Sequence, residues 1–460
     1  MSDTEQIVQD ETEEEEPLRA ELRLVFVGPN KIQEAPPYRL ADQKKLTIGR
    51  KDSSDIWLQD ATASEQHASI WPTLTSQGWQ VELRDSASSN GTTVNGQKIK
   101  SIHLQDGDVI RIGSSFLIYR VHRIPNEDAK IPELIGCSPP IRLLRKQIEV
   151  FAPTSAVILL QGESGVGKEV AAQAIHTLSK RRGPLVPINC ATIEKSLADS
   201  TLFGHVKGAF TGAVDDHVGL FQRSAQGTLF LDEVGELEKP VQSKFLRAVD
   251  TLRFVRLGSS TEVKTDARVL AATKVDLQQA VHQDRFRDDL FYRLSGVRLH
   301  IPPLRERKED ILLLVQHFIQ RKSPAMVITT ALAEALLDYS FPGNIRELKS
   351  LIDKGLAVAA SRNSGEIKLS YCRDQLEEKD TSLRGVRDTS MLHDVVPKPA
   401  EDRAAEPVRG RPTREELGSI LTRCDWKILR VSKLTQWDRH TIRRWMKYYE
   451  LTPPSPTSAP

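Results

Sequence analysis

The stretch Val157-Ile158-Leu159-Leu160-Gln161-Gly162-Glu163-Ser164-Gly165-Val166-Gly167-Lys168 constrains this chain more than any other. An apolar run of strand character enters a glycine-rich turn, and a helical stretch follows from Glu169 to about Lys180. In that order of strand, loop and helix, Gly162 to Lys168 reads as a phosphate loop. The glycines let backbone N–H groups close on a phosphate, and the helix N-terminus adds positive potential. Gly162, Glu163, Ser164, Gly165, Val166 and Gly167 would line a nucleotide, and Lys168 would reach its β- and γ-phosphates. Glu169 stands where a Ser or Thr usually follows the lysine, so a magnesium ion must rely on other groups.

A second apolar run, Thr228-Leu229-Phe230-Leu231, ends in Asp232-Glu233. A strand ending in two carboxylates places them at the carboxyl edge of an open sheet, where ligands sit in α/β folds. Asp232 would hold Mg²⁺, and Glu233 would polarise an attacking water. ATP and Mg²⁺ are the expected cofactors. Phosphoryl transfer also needs positive charge in its transition state. Arg287 and Arg293 are candidates, although surface salt bridges would explain their spacing equally well. Asn344 and Glu347 suggest a capping box, which would put Arg346 in a first helical turn beside bound phosphate.

The remaining organisation follows from patterning. A chain of 460 residues suits two or three domains. Residues 1–20 read as an acidic tail in solvent, with Asp10 to Glu16 almost all carboxylates. Residues 21–122 carry short β-rich runs, among them Leu22–Val27, Trp79–Leu83 and Phe116–Arg120, with turn signals at Asn90-Gly91, Asn95-Gly96 and Asp106-Gly107. They predict an all-β sandwich or barrel. Residues 131–363 alternate strands and helices and predict a parallel α/β domain, purely helical from about residue 305. Residues 364–411 read as a linker and 412–452 as a small helical domain. The four cysteines lie far apart without a C-x-x-C pair, and no apolar signal core or membrane-length run occurs. A cytoplasmic location with no membrane contact is the expectation. Gly208-Ala209-Phe210-Thr211-Gly212-Ala213 suits neither strand nor helix; it is either a plain loop or a tip built to touch something.

Together these motifs resemble the AAA+ domain of sigma-54-dependent transcriptional activators, the bacterial enhancer-binding proteins. The resemblance rests on the phosphate loop followed by glutamate, Leu202-Phe203-Gly204-His205, the 208–213 segment, Gly227 to Glu233, the two arginines, and Phe341 to Leu348. It implies an AAA+ P-loop ATPase with a helical lid. It implies that Gly208, Ala209, Phe210, Thr211, Gly212 and Ala213 contact sigma-54. Arg287 and Arg293 would reach a neighbouring subunit's ATP in a ring, typically a hexamer, and Asn189 would pair with Glu233 as a switch. This chain departs at Val206-Lys207, where the family usually places a glutamate after the histidine. It departs again at Lys274, where asparagine is usual; lysine accepts no hydrogen bond but can donate to phosphate.

Ile48-Gly49-Arg50, Ser64-Glu65-Gln66-His67, Ser88-Ser89-Asn90-Gly91-Thr92 and Asn95-Gly96 resemble a forkhead-associated (FHA) domain across residues 22–120. The resemblance implies a phosphothreonine reader. Arg50 and Ser64 would touch the phosphate with help from Ser89, Asn90 would hold the peptide backbone, and His67 would brace the loops. Glu65 replaces a common arginine, and a like charge about 4 Å from phosphate costs about 1 kcal/mol in water and about 4 kcal/mol where partly shielded. Phosphate-independent docking is therefore the alternative. Near the other end, three short helical patterns finish in a basic one. Asp438-Arg439-His440-Thr441-Ile442-Arg443-Arg444 resembles the recognition helix of a Fis-type helix-turn-helix, with Gln436 in place of the turn glycine. Arg439, His440, Thr441, Arg443, Arg444 and Lys447 would contact DNA.

The whole predicts a sigma-54-dependent activator that binds an upstream DNA site, hydrolyses ATP in a ring, and remodels the closed complex of sigma-54 RNA polymerase. Its FHA domain would answer to a phosphothreonine protein or a Ser/Thr kinase, with no phosphorelay receiver before the ATPase. Two alternatives remain open: an AAA+ remodeller of another target, and a nucleotide-assembled DNA-binding scaffold.

Overall fold

The computed structural model describes residues 17–379, apart from 29–30, 34–35 and 124–127, together with Leu417 and Leu421. Leu417 and Leu421 are helical and buried. The expected DNA-contacting residues from Arg439 to Lys447 lie outside the described residues, as do residues 380–411 of the expected linker.

Residues 19–122 form two β-sheets, one of seven strands and one of five. Leu22, Leu24, Ile48, Ile70, Leu83, Ile110 and Leu117 fill the space between them. This is the predicted all-β sandwich. Arg19–Val27 and Ser115–His122 pair antiparallel, and their register slips between Leu24 and Phe26. Such a bulge changes which side chains face which way. Leu24 and Val27 stay in the sandwich core, whereas Val25 and Phe26 join a different one.

That second core belongs to the helical lid. Val25, Phe26, Val109, Phe116 and Ile118 pack with Leu304, Ile311, Val315, Leu332 and Leu336. A buried ion pair reinforces the contact. The Arg120 guanidinium binds both carboxylate oxygens of Glu309, one through Nη2 at 2.8 Å, and donates to the Glu306 carbonyl at 2.7 Å. Arg111 Nη1 meets Glu334 at 2.7 Å.

Five parallel strands make the α/β domain, in the spatial order Leu185–Asn189, Thr228–Asp232, Arg268–Thr273, Ile158–Gln161, Val297–His300. The three inner strands carry continuous apolar runs, Leu229–Leu231, Val269–Ala272 and Ile158–Leu160, because both of their faces are covered, whereas the edge strand Val297–His300 alternates with exposed Arg298 and His300. Leu159, Leu229, Leu231 and Ala271 face one layer, while Ile158, Leu160, Phe230, Leu270 and Ala272 face the other.

The lid comprises Lys308–Lys322, Thr330–Asp338 and Asn344–Ser361, with acidic residues opening the first helix and Arg321 and Lys322 closing it, as the helix dipole favours. One boundary needs correction. The expected linker from 364 begins inside the lid. Glu366–Ile367 pairs in parallel with Val327–Ile328, and Ile367, Leu369, Tyr371, Cys372 and Leu376 are buried in the lid core. Among the described residues no helix is long and apolar enough to cross a membrane.

Candidate nucleotide site and its companion sites

The carboxyl ends of neighbouring strands bring the predicted nucleotide residues together. Gln161 stands in register with Thr273 on one side and His300 on the other, and Asn189 with Asp232. The phosphate loop therefore leaves the sheet beside Asp232-Glu233 and Lys274. Gly165 and Gly167 hold φ of 79° and 107°, which glycine tolerates best. Gly165 is fixed for a second reason: a Cβ there would lie 2.4 Å from the Gly343 carbonyl oxygen.

Lys168 opens its helix and is almost fully buried. Its Nζ donates to the loop carbonyls of Gly162 and Glu163 at 3.1 and 3.3 Å. Glu233 Oε1 lies 3.9 Å from that ammonium. Glu233 itself has φ 54° and ψ 48°, and its N–H donates to Asp232 Oδ1 at 3.0 Å. A left-handed glutamate costs about 1 kcal/mol or more and is worth explaining by what it aims. Here it turns the chain directly after the strand, leaving Asp232 and Glu233 together beside the loop.

The lid supplies residues that the motif reading missed. Arg305 grips Glu163 with two hydrogen bonds of 2.9 and 2.6 Å, and this contact, followed by Asn344, holds the Glu163 carboxyl below its usual range. Arg307, buried, donates to the Val166 carbonyl at 2.9 Å. Arg346 reaches Ser164 Oγ at 3.0 Å, in the first turn where it was expected. The capping box is corrected. Gly343 precedes the helix, and Glu347 Oε2 accepts its N–H at 2.7 Å. Asn344, with φ 51°, turns its side chain away to take the Leu304 N–H and to donate to Glu163 and the Ser164 carbonyl. The signal available in the sequence was Arg305-Glu306-Arg307 just after Pro302-Pro303.

Other predicted residues stand apart. Arg287 pairs with Asp289 at 2.7 Å and Arg293 with Asp250 at 2.7 Å, each about half exposed. Among the described residues neither hydrogen-bonds to the phosphate loop. Asn189 accepts the Ala191 N–H at 2.9 Å, and no hydrogen bond joins it to Glu233 among the described residues. Gly208 to Ala213 crown a short hairpin whose base pairs Gly204–His205 with His217–Val218. Gly208 and Gly212 have φ of 82° and 102° with open space around them. The Gly208 N–H closes the loop on the Ala213 carbonyl at 2.9 Å. Phe210 is exposed and lies edge-on to His205, with ring centroids 5.0 Å apart. A neighbouring hairpin abuts the loop, since a Cβ on Gly258 would meet Ala209 at 2.7 Å.

In the sandwich, the predicted phosphopeptide residues share one loop cluster. Ser64 Oγ accepts the Ser89 N–H at 3.1 Å, and Asn90 Nδ2 donates to the Thr62 carbonyl at 2.7 Å. Arg50 Nε donates to the Ala63 carbonyl at 3.1 Å, and its terminal nitrogens make no hydrogen bond among the described residues. His67, buried, takes the Ser64 N–H on Nδ1 at 3.0 Å and meets the Gly91 carbonyl through Nε2 at 3.3 Å. That pair of partners requires the neutral Nε2–H tautomer, in keeping with a pKa lowered by burial. The Glu65 side chain is exposed and forms no ion pair among the described residues.

Known families match the same segments. The Sigma-54 interaction domain matches residues 134–300, the FHA domain residues 46–113, and the AAA+ ATPase lid domain residues 305–387. The anaerobic nitric oxide reductase transcription regulator NorR of Shigella flexneri is 46% identical over 252 residues, which cover 53% of this chain and 50% of that protein. This chain thus spans about half the length of the curated relatives it matches. NtrX from Brucella abortus in complex with ADP is 28% identical with a TM-score of 0.49, covering 70% of each chain. The FHA domain of CT664 protein from Chlamydia trachomatis is 26% identical with a TM-score of 0.20, covering 22% of this chain and 96% of that one. Segments of this chain match an FHA domain, a sigma-54 interaction domain and an AAA+ ATPase lid domain, in that order.

Proposed function

We propose that the chain is an ATP-hydrolysing activator of sigma-54-dependent transcription. One observation carries this reading: a single domain that matches the sigma-54 interaction family holds a phosphate-loop site at its strand ends and an exposed Phe210-Thr211 tip on a separate hairpin. The NorR regulator named above is 46% identical to this chain over 252 residues.

The chemistry follows from the residues. ATP would lie along the Gly162–Gly167 backbone at the helix N-terminus. Lys168, now bonded to its own loop, would turn to the β- and γ-phosphates. Asp232 fits Mg²⁺, which takes one or two carboxylates and completes its shell with phosphate oxygens and water. The ion would offset charge on those oxygens. Glu233 would take the proton from the attacking water as its oxygen bonds to the γ-phosphorus and ADP leaves. Arg346, already at Ser164, would report phosphate to the lid. Asn189 would act on Glu233 through its Nδ2 donors, with Oδ1 holding the Ala191 N–H. Arg287 and Arg293 would serve the next subunit of a ring, a hexamer by resemblance. Turnover would move the 208–213 loop against sigma-54. Arg50, Ser64, Ser89 and Asn90 would read a phosphothreonine made by a Ser/Thr kinase, and Arg439 to Lys447 would bind upstream DNA in the cytoplasm.

The test is ATP-dependent opening of a sigma-54 promoter by purified polymerase. The parent chain should open it. Thr211→Ala should hydrolyse ATP at the parental rate yet open the promoter at least tenfold less. If both hydrolyse and neither opens it, with or without phosphothreonine peptides, the target is not sigma-54.

A further inference from the structure

Lys274 follows the last residue of the strand Arg268–Thr273, between the strand that ends at Asp232 and the strand that enters the phosphate loop. Its Nζ lies 3.6 Å from Glu233 Oε1. Glu233 thus sits between two ammonium groups with different freedom. Lys168 is 7% exposed and donates to two loop carbonyls. Lys274 is 46% exposed, and Glu233 is its one charged partner among the described residues.

Glu233 has little freedom in its backbone. Its N–H is bonded to Asp232, and its carbonyl accepts the Glu236 N–H at 3.0 Å. Any change of partner must come from the side chains. A carboxylate that takes a proton from water must be free to turn towards that water, and an ammonium 3.6 Å from its Oε1 holds it in place by charge. Asn189, at the neighbouring strand end, accepts the Ala191 N–H on Oδ1 and makes no hydrogen bond to Glu233 among the described residues.

We propose that Lys274 is a positioning residue that exchanges partners. Without nucleotide it pairs with Glu233 and keeps that carboxylate from the attacking water. When ATP binds, the γ-phosphate takes the Lys274 ammonium and Glu233 is released. ADP has no γ-phosphate and leaves the pair intact, so the exchange separates the two nucleotides. This inference rests on the ATPase reading above and specifies how its base is held.

A binding cycle on the full chain tests it, with ATPγS and ADP as probes. In the parent, ATPγS must break a half-exposed ion pair. Glu233→Gln removes that competitor and should tighten ATPγS about two- to fivefold, equal to about 0.4–1 kcal/mol, with ADP unchanged. In the Lys274→Met background the same Glu233→Gln change should tighten nothing, and Lys274→Arg should restore the coupling. ADP affinity serves as the folding control for every variant. The exchange is overturned if Glu233→Gln tightens ATPγS equally in both backgrounds, or shifts ATPγS and ADP together. Those outcomes leave the ATPase reading standing when the parent turns over ATP. A parent that binds neither nucleotide removes both.

Discussion

The two candidate sites of this chain are built in opposite ways. The Arg50–Asn90 cluster lies inside one domain, and its parts hold each other: Ser64 receives Ser89, Asn90 binds Thr62, and His67 ties Ser64 to Gly91. The phosphate-loop site is divided. Its loop, Asp232 and Glu233 come from the parallel sheet, whereas Arg305, Arg307, Asn344 and Arg346 come from the lid. Arg287 and Arg293 are bonded elsewhere altogether. A site braced within one domain keeps its geometry while other parts move. A divided site has its geometry only while its pieces are docked, so it can be assembled and dismantled. The first design suits recognition and the second suits a cycle.

The largest test of that contrast concerns Arg287. If it completes a neighbour's site, Arg287→Ala should lower ATP turnover about 10³-fold or more, the usual worth of an arginine supplied to phosphoryl transfer. Mixing Arg287→Ala with Glu233→Gln chains should then recover turnover, because some sites join an intact Glu233 to an intact Arg287. Steady-state ATPase across mixing ratios measures this. Turnover that stays flat at every ratio would show that the site is not shared between subunits.

A second test asks how far the sandwich is free of the divided site. Its own loops are self-contained, but its opposite sheet is fastened to the lid through Arg120 and a Glu309 carboxylate that is 1% exposed. Arg120→Met leaves that carboxylate buried without its cation, at a cost of about 3–5 kcal/mol. Amide exchange should speed up together in Ser115–His122 and Lys308–Lys322, and Arg120→Met/Glu309→Leu should recover most of the protection. Unchanged exchange in the single variant would show that the two domains are not fastened there.

The same contrast explains what was legible beforehand. The phosphate loop, the strand ending in Asp232-Glu233 and the loop residues of the sandwich are local spacings whose chemistry is written in a few adjacent residues. Arg305 and Arg307 carry only a weaker signal, a charged run just after Pro302-Pro303. They meet Glu163 and Val166 only because the chain returns to the loop after more than a hundred residues, and in the sequence they look like a surface charge run. Asn344 looks like a helix cap, yet its left-handed backbone aims it at the loop instead. Residues 366–376 look like linker because their apolar side chains have no single period; they enter the lid as a bridge strand, a short turn of helix and a last helix in succession. Leu22–Val27 and Phe116–Tyr119 read only as strands of a sandwich; that their apolar residues serve two cores, the second provided by the lid, emerges from the packing.

The smallest expected effect comes from Arg50, and it is the cleanest probe of independence. One charge-assisted hydrogen bond to a dianion is worth about 1.5–3 kcal/mol, so Arg50→Ala should weaken a phosphothreonine peptide about 10- to 100-fold. Among the described residues the Arg50 side chain ties the loops only through Nε to the Ala63 carbonyl; its backbone bonds to the Ser64 carbonyl and the Trp57 indole survive in Arg50→Ala, and the Ser64–Ser89 and Asn90–Thr62 bonds do not involve it. The loop cluster should therefore keep its shape, and ATP affinity should stay within about twofold, as expected for distant sites without shared partners. Calorimetry with the phosphorylated and unphosphorylated peptide reads the first effect, and nucleotide titration reads the second. Loss of both affinities would mean that the loop cluster and the nucleotide lid form one coupled unit, transmitted through the Arg120 contact. Equal binding of both peptides by the parent and by Arg50→Ala would assign the cluster to phosphate-independent docking, with the exposed Glu65 beside it as the reason a dianion is not preferred.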